Sequence, residues 1–201
     1  MLLAFDGAPV DGSAYTDVVD LAHRSPAWLD GLVSAWSTYG LSLFAVLMVV
    51  GWWRARHLGS REAVIALAAP VTVVVAYALD DALKLVVRED RPCRSLRVAT
   101  LEACPAPGDW SFPSNHAATA AAAAVALLFV SRRLGALAAV AAVAMAASRV
   151  WVGAHYPHDV VAGLAVGALV ALLLTTALRG RPDALVRRLS ATRLRPLLVD
   201  P

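Results

Sequence analysis

The chain has 201 residues, 59% of them hydrophobic and 16% charged, with a mean hydropathy of +0.64 and a net charge of +3. A soluble domain is about 45–50% apolar and about 25% charged, so this composition excludes an ordinary soluble protein and points to a membrane. The small positive charge, with no basic patch interleaved with aromatics, leaves no footprint for nucleic acid.

Residues 1–30 carry five Asp against Arg24. They lack a basic region followed by an apolar core and a small-residue cleavage site, so no cleavable signal peptide is expected. A short amphipathic helix over 15–28 is expected on the outer surface. Residues 31–53 are uncharged and end in a Trp pair, long enough to cross about 30 Å of hydrocarbon as a helix. Four more apolar runs follow at 63–79, 117–130, 134–148 and 160–178. The second, third and fourth fall short of about 20 residues, which brings the polar groups at their ends to the membrane boundary.

Charge orients the bundle. Arg54, Arg56 and Arg61 follow the first run and Arg132 and Arg133 the third. The tail 179–201 holds six Arg against Asp183 and Asp200. By the positive-inside rule these segments are cytoplasmic and the leader is outside. The expected fold is all-α: a polytopic transmembrane helical bundle of about five spans plus the interfacial helix. It forms a single domain, 1–201, with a core at 31–178, an extracytoplasmic leader at 1–30 and a basic cytoplasmic tail at 179–201. The expected location is the plasma membrane. Segments 87–112 and 152–157 then both face the extracytoplasmic side.

Charged groups inside a membrane bundle are costly, and here they gather at the outer helix ends. Lys84 and Arg91 are seven residues apart, so they share a face if their helix runs that far. Pro113 can open the third helix, which puts Ser114, Asn115 and His116 in its first turn, where free N–H groups and the dipole seat a phosphate. Arg149 closes the fourth helix, and Asp159 follows His155 by four residues. Three cations can hold phosphoryl oxygens. One histidine can attack phosphorus if an aspartate fixes its tautomer, and a second can protonate the leaving oxygen. Such a site requires neither metal nor cofactor.

Lys84, six residues and Arg91-Pro92, then Pro113-Ser114-Asn115-His116, then Ser148-Arg149, five residues, His155, three residues and Asp159 together resemble the three motifs of the type 2 phosphatidic acid phosphatase superfamily. The resemblance extends over roughly residues 15–178. It implies that His155 is the nucleophile, Asp159 its orienting partner and His116 the acid and base. It also implies that Lys84, Arg91, Ser114, Asn115 and Arg149 bind phosphate. Asn115 departs from the commonest residue, Gly. It narrows the pocket, and with Ser111-Phe112-Pro113-Ser114 and Arg149-Val150-Trp151-Val152-Gly153 it is similar to the undecaprenyl-diphosphate phosphatase branch. The implied reaction hydrolyses a lipid phosphate or diphosphate through a phosphohistidine, with undecaprenyl diphosphate first and phosphatidate, phosphatidylglycerophosphate or a prenyl-phosphosugar as alternatives. An anion-binding transporter or scaffold is the reading from another class. Vanadium haloperoxidases share the motifs but are soluble, which the apolar runs oppose.

Taken singly, several residues read more plainly. His158 reads as interfacial, and Asp80 as an ion-pair partner for Lys84. Arg88, Glu89, Asp90 and Arg94 read as a solvated loop. Gly163 and Gly167 read as a close-packing seam inside the bundle. Cys93 and Cys104 fall in the outer loop and can pair in an oxidising compartment, which would stabilise by roughly 2–3 kcal/mol on a chain-entropy view. Two cysteines are too few ligands for a zinc site.

Overall fold

The computed structural model describes residues 4–180, 182–193 and 195–198. Parts of the predicted leader (1–3) and basic tail (181, 194 and 199–201) lie outside the described residues. The order is α1 (Ala8–Arg24), α2 (Ala27–Tyr39), α3 (Leu41–Arg56), α4 (Ser60–Val87), α5 (Pro92–Ser95), α6 (Asn115–Val130), α7 (Arg132–Trp151), α8 (Pro157–Arg179), α9 (Pro182–Ser190) and a 3-10 turn at Arg195–Leu197. Among the described residues the one β pairing is an isolated bridge between Phe5 and Glu89.

The bundle is built around α6, which packs against α8, α7, α4 and α3. Its sequence explains this place. Nine residues from Ala117 to Leu127 are buried, and eight of them are alanines, so neighbouring backbones can come close. The glycines of α8 complete the seam: a Cβ on Gly167 would lie 2.0 Å from the Ala118 carbonyl oxygen, and one on Gly163 would lie 2.5 Å from that of Ser114. The Gly-x-x-x-Gly therefore packs within the bundle, as expected.

The outward surface is the reverse of a soluble protein's. Val71, Val74, Val86, Val140, Val143, Val161, Leu169 and Leu173 are exposed, an apolar belt that suits lipid rather than water. The chain is an integral membrane protein. Helices α4, α7 and α8 are each long and apolar enough to cross a bilayer, and the α2–α3 pair is a further crossing if its two halves form one span. The predicted first run is not one straight helix: α2 and α3 meet at 52°. The bend falls at Gly40, where a Cβ would come within 2.8 Å of Met145 Cε on α7. Helix α4 runs 28 residues and carries Asp80, Asp81 and Lys84 within it, longer than its apolar run implied. Helix α6 has only 16 residues, about 24 Å of rise, and is sheathed by its neighbours instead of facing lipid.

The predicted interfacial helix differs as well. It ends at Arg24, because Pro26 holds Ser25 in extended backbone (φ −81°, ψ 155°), so Trp28 belongs to α2. Nor does α1 lie free on a surface. Tyr15 and Val19 are buried with Ala117, Ala146, Val150, Tyr156 and Val160, and the Tyr15 hydroxyl donates to the Gly153 carbonyl at 2.9 Å.

The two ends of the bundle are chemically distinct. At one end Arg61 pairs with Asp183 at 2.6 Å and Arg179 donates to the Phe129 carbonyl at 2.6 Å. These contacts join the α4 start to α9 and the α8 end to the α6 end. At the other end meet the α4 end, the α6 start, the α7 end and the α8 start, and all the predicted site residues lie there.

Candidate active site

A cavity of about 530 Å³ opens at that second end. Lys84, Arg91, Asn115, His116, Arg149 and His155 line it. Six predicted residues separated by up to 71 positions thus share one chamber, with Asp159 behind His155.

Lys84 and Arg91 do not share a helix face. Helix α4 stops at Val87 because Arg88 takes a left-handed conformation (φ 53°), and Arg91 returns to the cavity just before Pro92. The Lys84 ammonium donates to the Trp110 and Ser111 carbonyls at 2.8 and 3.1 Å. It is not held by Asp80, whose two carboxylate oxygens are buried without a hydrogen-bond partner among the described residues. Arg91 donates to the Ala154 carbonyl (2.9 Å), the Asp109 carbonyl (3.1 Å) and the Asp109 carboxylate (2.7 Å). Arg149 donates to both oxygens of Glu102 at 3.0 and 3.1 Å and to the Ser37 hydroxyl. Glu102 and Asp109 belong to the connection between α4 and α6, within which Cys93 and Cys104 form a disulfide.

Histidine 155 sits in the turn between α7 and α8. Its Nε2 is 2.9 Å from the Arg91 guanidinium. A guanidinium can only donate, so Nε2 presents its lone pair and the proton resides on Nδ1. Nδ1 faces Asp159 Oδ2 at 3.3 Å. The same oxygen accepts from the Ser111 hydroxyl (2.5 Å) and from the Tyr156 backbone N–H (2.9 Å), so α8 begins on the carboxylate that orients the imidazole. His155 is only 2% exposed. Burial first, then the positive charges of Arg91, Lys84 and Arg149, hold its ring well below the usual histidine range. The ring is neutral at physiological pH, the form that can attack an electrophile.

His116 occupies the first turn of α6 on the cavity wall, as predicted. Asn115 lines it too and donates to Asp81 Oδ1 at 3.3 Å, so its amide reaches α4 and narrows the chamber. Ser114 is the exception. It precedes α6, is fully buried and is not part of the lining. Its hydroxyl has no hydrogen-bond partner among the described residues, while its backbone N–H donates to the Asp159 carbonyl at 3.1 Å.

Sequence reasoning gave no role to Ser111, Glu102 or Asp109. Ser111 adjoins a recognised motif, which was the available signal. The two acids lie in a loop whose sequence gives no hint of which arginine each will meet. Glu89 was read as part of a solvated loop and His158 as interfacial. Glu89 is 1% exposed, and His158 pairs with it and with Asp11.

A family model described as PAP2 superfamily matches residues 63–183. An undecaprenyl-diphosphatase, BcrC of Bacillus subtilis, is 32% identical over 153 residues, 76% of each chain. An undecaprenyl-diphosphatase of Sulfolobus acidocaldarius is 32% identical over 153 residues, 73% of this chain and 69% of that one. The crystal structure of a PAP2-type phosphatidylglycerolphosphate phosphatase from Bacillus subtilis aligns with a TM-score of 0.56 at 21% identity, over 85% of this chain and 87% of that one. That likeness concerns the fold.

The neutral state of His155 has a consequence for stability. Its folded pKa lies below the unfolded value of about 6.5, so below that pH the unfolded chain binds a proton that the folded protein refuses. Stability should therefore decline by up to about 1.4 kcal/mol per pH unit as pH falls below about 6.5. Melting midpoints measured from pH 7.5 to 5.5 should drop less steeply for His155→Gln than for the wild type. Parallel profiles would contradict a neutral buried ring.

Proposed function

The chain belongs to the PAP2 superfamily, and on that premise we propose that this membrane-embedded lipid phosphatase hydrolyses undecaprenyl diphosphate to undecaprenyl phosphate and inorganic phosphate. The observation that carries the chemistry is the His155 Nε2 lone pair, aimed at Arg91 inside a chamber walled by three cations and backed by Asp159. The two relatives named undecaprenyl-diphosphatase support the choice of lipid.

In the proposed reaction the terminal phosphate enters among Lys84, Arg91 and Arg149. Its oxygens take over the guanidinium that caps Nε2, and Asn115 adds an amide. His155 Nε2 attacks phosphorus as the bond to the bridging oxygen breaks. Asp159 accepts from Nδ1–H and stabilises the positive ring as it forms. His116 gives a proton to the leaving oxygen, then takes one from a water that attacks the phosphohistidine. Phosphate leaves and Nε2 regains its lone pair. The three cations offset the charge that a metal ion would otherwise offset, so the proposed reaction is metal-independent. A diphosphate releases a lipid phosphate, a better leaving group than a lipid alkoxide, and so asks less of His116.

The proposed active site faces the extracytoplasmic side of the plasma membrane. The arginines of the α3–α4 and α6–α7 connections lie at the end opposite the site, which the positive-inside rule places in the cytoplasm. The disulfide in the site-side loop suits an oxidising compartment.

Purified His155→Ala should keep its helical fold and lose phosphate release by at least about a thousandfold, the scale seen when a nucleophile is removed. The wild type should work in excess EDTA and be inhibited by vanadate. Activity near wild type in the variant, or loss in EDTA restored by magnesium, would contradict the proposed chemistry.

The lipid can be tested in mixed micelles at matched surface concentration. Undecaprenyl or farnesyl diphosphate should give a higher kcat/KM than phosphatidate or phosphatidylglycerophosphate, with one phosphate released. A clear preference for either glycerolipid would overturn the substrate while leaving the phosphatase intact.

Sidedness can be read on intact cells that retain the native disulfide. Ala106→Cys should react with an impermeant thiol reagent and Ser190→Cys should not. The reverse pattern would put the site on the cytoplasmic face.

A further inference from the structure

One histidine at the site has no part in the reaction above. His158 immediately precedes Asp159, and carboxylates hold its ring from two sides. Nδ1 is 2.8 Å from Asp11 Oδ1 on α1, and Nε2 is 2.9 and 3.2 Å from the two oxygens of Glu89 in the turn after α4. The second oxygen of Asp11 accepts the His158 backbone N–H at 2.7 Å, so α1 also caps the start of α8. Tyr156 stacks on the ring at 5.4 Å and 15°, and Phe112 at 5.9 Å and 30°. Four residues therefore fix where this imidazole points.

Each ring nitrogen faces a carboxylate oxygen at bonding distance. A neutral ring would turn a lone pair toward one of them, so both nitrogens carry protons and the ring is a cation. The same Nε2 lies 3.4 Å from Asp159 Oδ1, an oxygen that is buried without a hydrogen-bond partner among the described residues. Glu89 is 1% exposed and Asp159 0%. One ligand atom from each of Glu89, His158 and Asp159 falls within 4.8 Å of the others. Two buried carboxylates this close repel strongly, and without a cation between them one takes up a proton. An Asp159 that held a proton would support the positive charge on His155 poorly. The other charged groups around the pair are Asp11 from α1, Lys84 from α4, Arg91 from the turn after it, and His155 when it reacts.

We propose that His158 is a positioning residue for the reaction: a cation clamped by Asp11 and Glu89 that keeps Asp159 ionised, with Oδ2 turned to His155. This rests on the roles proposed above for His155 and Asp159. It makes α1 part of the catalytic apparatus, since one clamping carboxylate comes from that helix. The leader is docked to match: Phe5 N–H donates to the Arg88 carbonyl and Asp90 N–H to the Phe5 carbonyl, and a Cβ on Gly7 would lie 1.9 Å from Glu89 Oε1.

The test compares His158→Gln with Glu89→Gln/His158→Gln in the purified full-length protein, with farnesyl diphosphate as substrate. His158→Gln should lower kcat by about 10- to 100-fold, the scale of a lost charge-assisted hydrogen bond, and leave KM within about twofold, since no substrate contact is removed. The double variant should regain at least about fivefold of that kcat, because a neutral residue at position 89 no longer competes with Asp159 for ionisation. A purely structural role predicts the opposite, as a second lesion in one cluster deepens the first. Full kcat in His158→Gln, or a double variant no faster than the single, overturns the proposal. An active His155→Ala would instead remove the nucleophile on which the proposal rests.

Discussion

Mutual repulsion among Lys84, Arg91 and Arg149 is the constraint that the surrounding structure answers. Three cations converge on one cavity beside a fully buried imidazole, at the end of a bundle that otherwise presents valine and leucine to lipid. Each is stabilised without being fully neutralised. Lys84 rests on two backbone carbonyls. Arg91 and Arg149 each keep one carboxylate partner, Asp109 and Glu102, supplied by a loop instead of the helices. The unprotonated state of His155 owes most to its burial, and the same convergence reinforces it: the positive surroundings that attract a phosphate also repel a proton.

Geometry follows from close packing. Helix α6 must bring His116 to the level of His155 and Lys84, which sit on other elements. Alanines on α6 and glycines on α8 set that level, because Gly163 and Gly167 let α8 approach to backbone contact with Ser114 and Ala118. The start of α8 is then tied to the chemistry directly, through the hydrogen bond from Tyr156 N–H to Asp159. Asp159, Ser111 and Arg91 thereby hold the imidazole from separate elements.

The site was legible in sequence where residue type and local spacing carry the chemistry. Lys84, Arg91, His116, Arg149, His155 and Asp159 form such a set, and the structure gathers them at one end of the bundle. It was not legible where the answer depends on long-range placement. Lys84 and Arg91 were expected on one helical face, but Arg88 ends α4 between them. Asp80 has the spacing of a partner for Lys84, yet the lysine turns to Trp110 and Ser111. Asp11, 147 residues before His158, meets it only because α1 folds back on the bundle. The expected straight first span is broken at Gly40, where Met145 of α7 leaves no room for a side chain. Hydropathy reports that such a segment is apolar, not that a neighbouring helix crowds its middle.

The central claim is that phosphorus passes through His155. The most direct measurement is rapid acid-free quenching of the wild type during turnover of terminally ³²P-labelled farnesyl diphosphate, followed by peptide mapping of the label. The account predicts an alkali-stable, acid-labile phosphoryl group on the peptide that contains His155, absent in His155→Gln and accumulating in His116→Ala if breakdown requires its base. Label on His116, on a serine or on a carboxylate instead would contradict it.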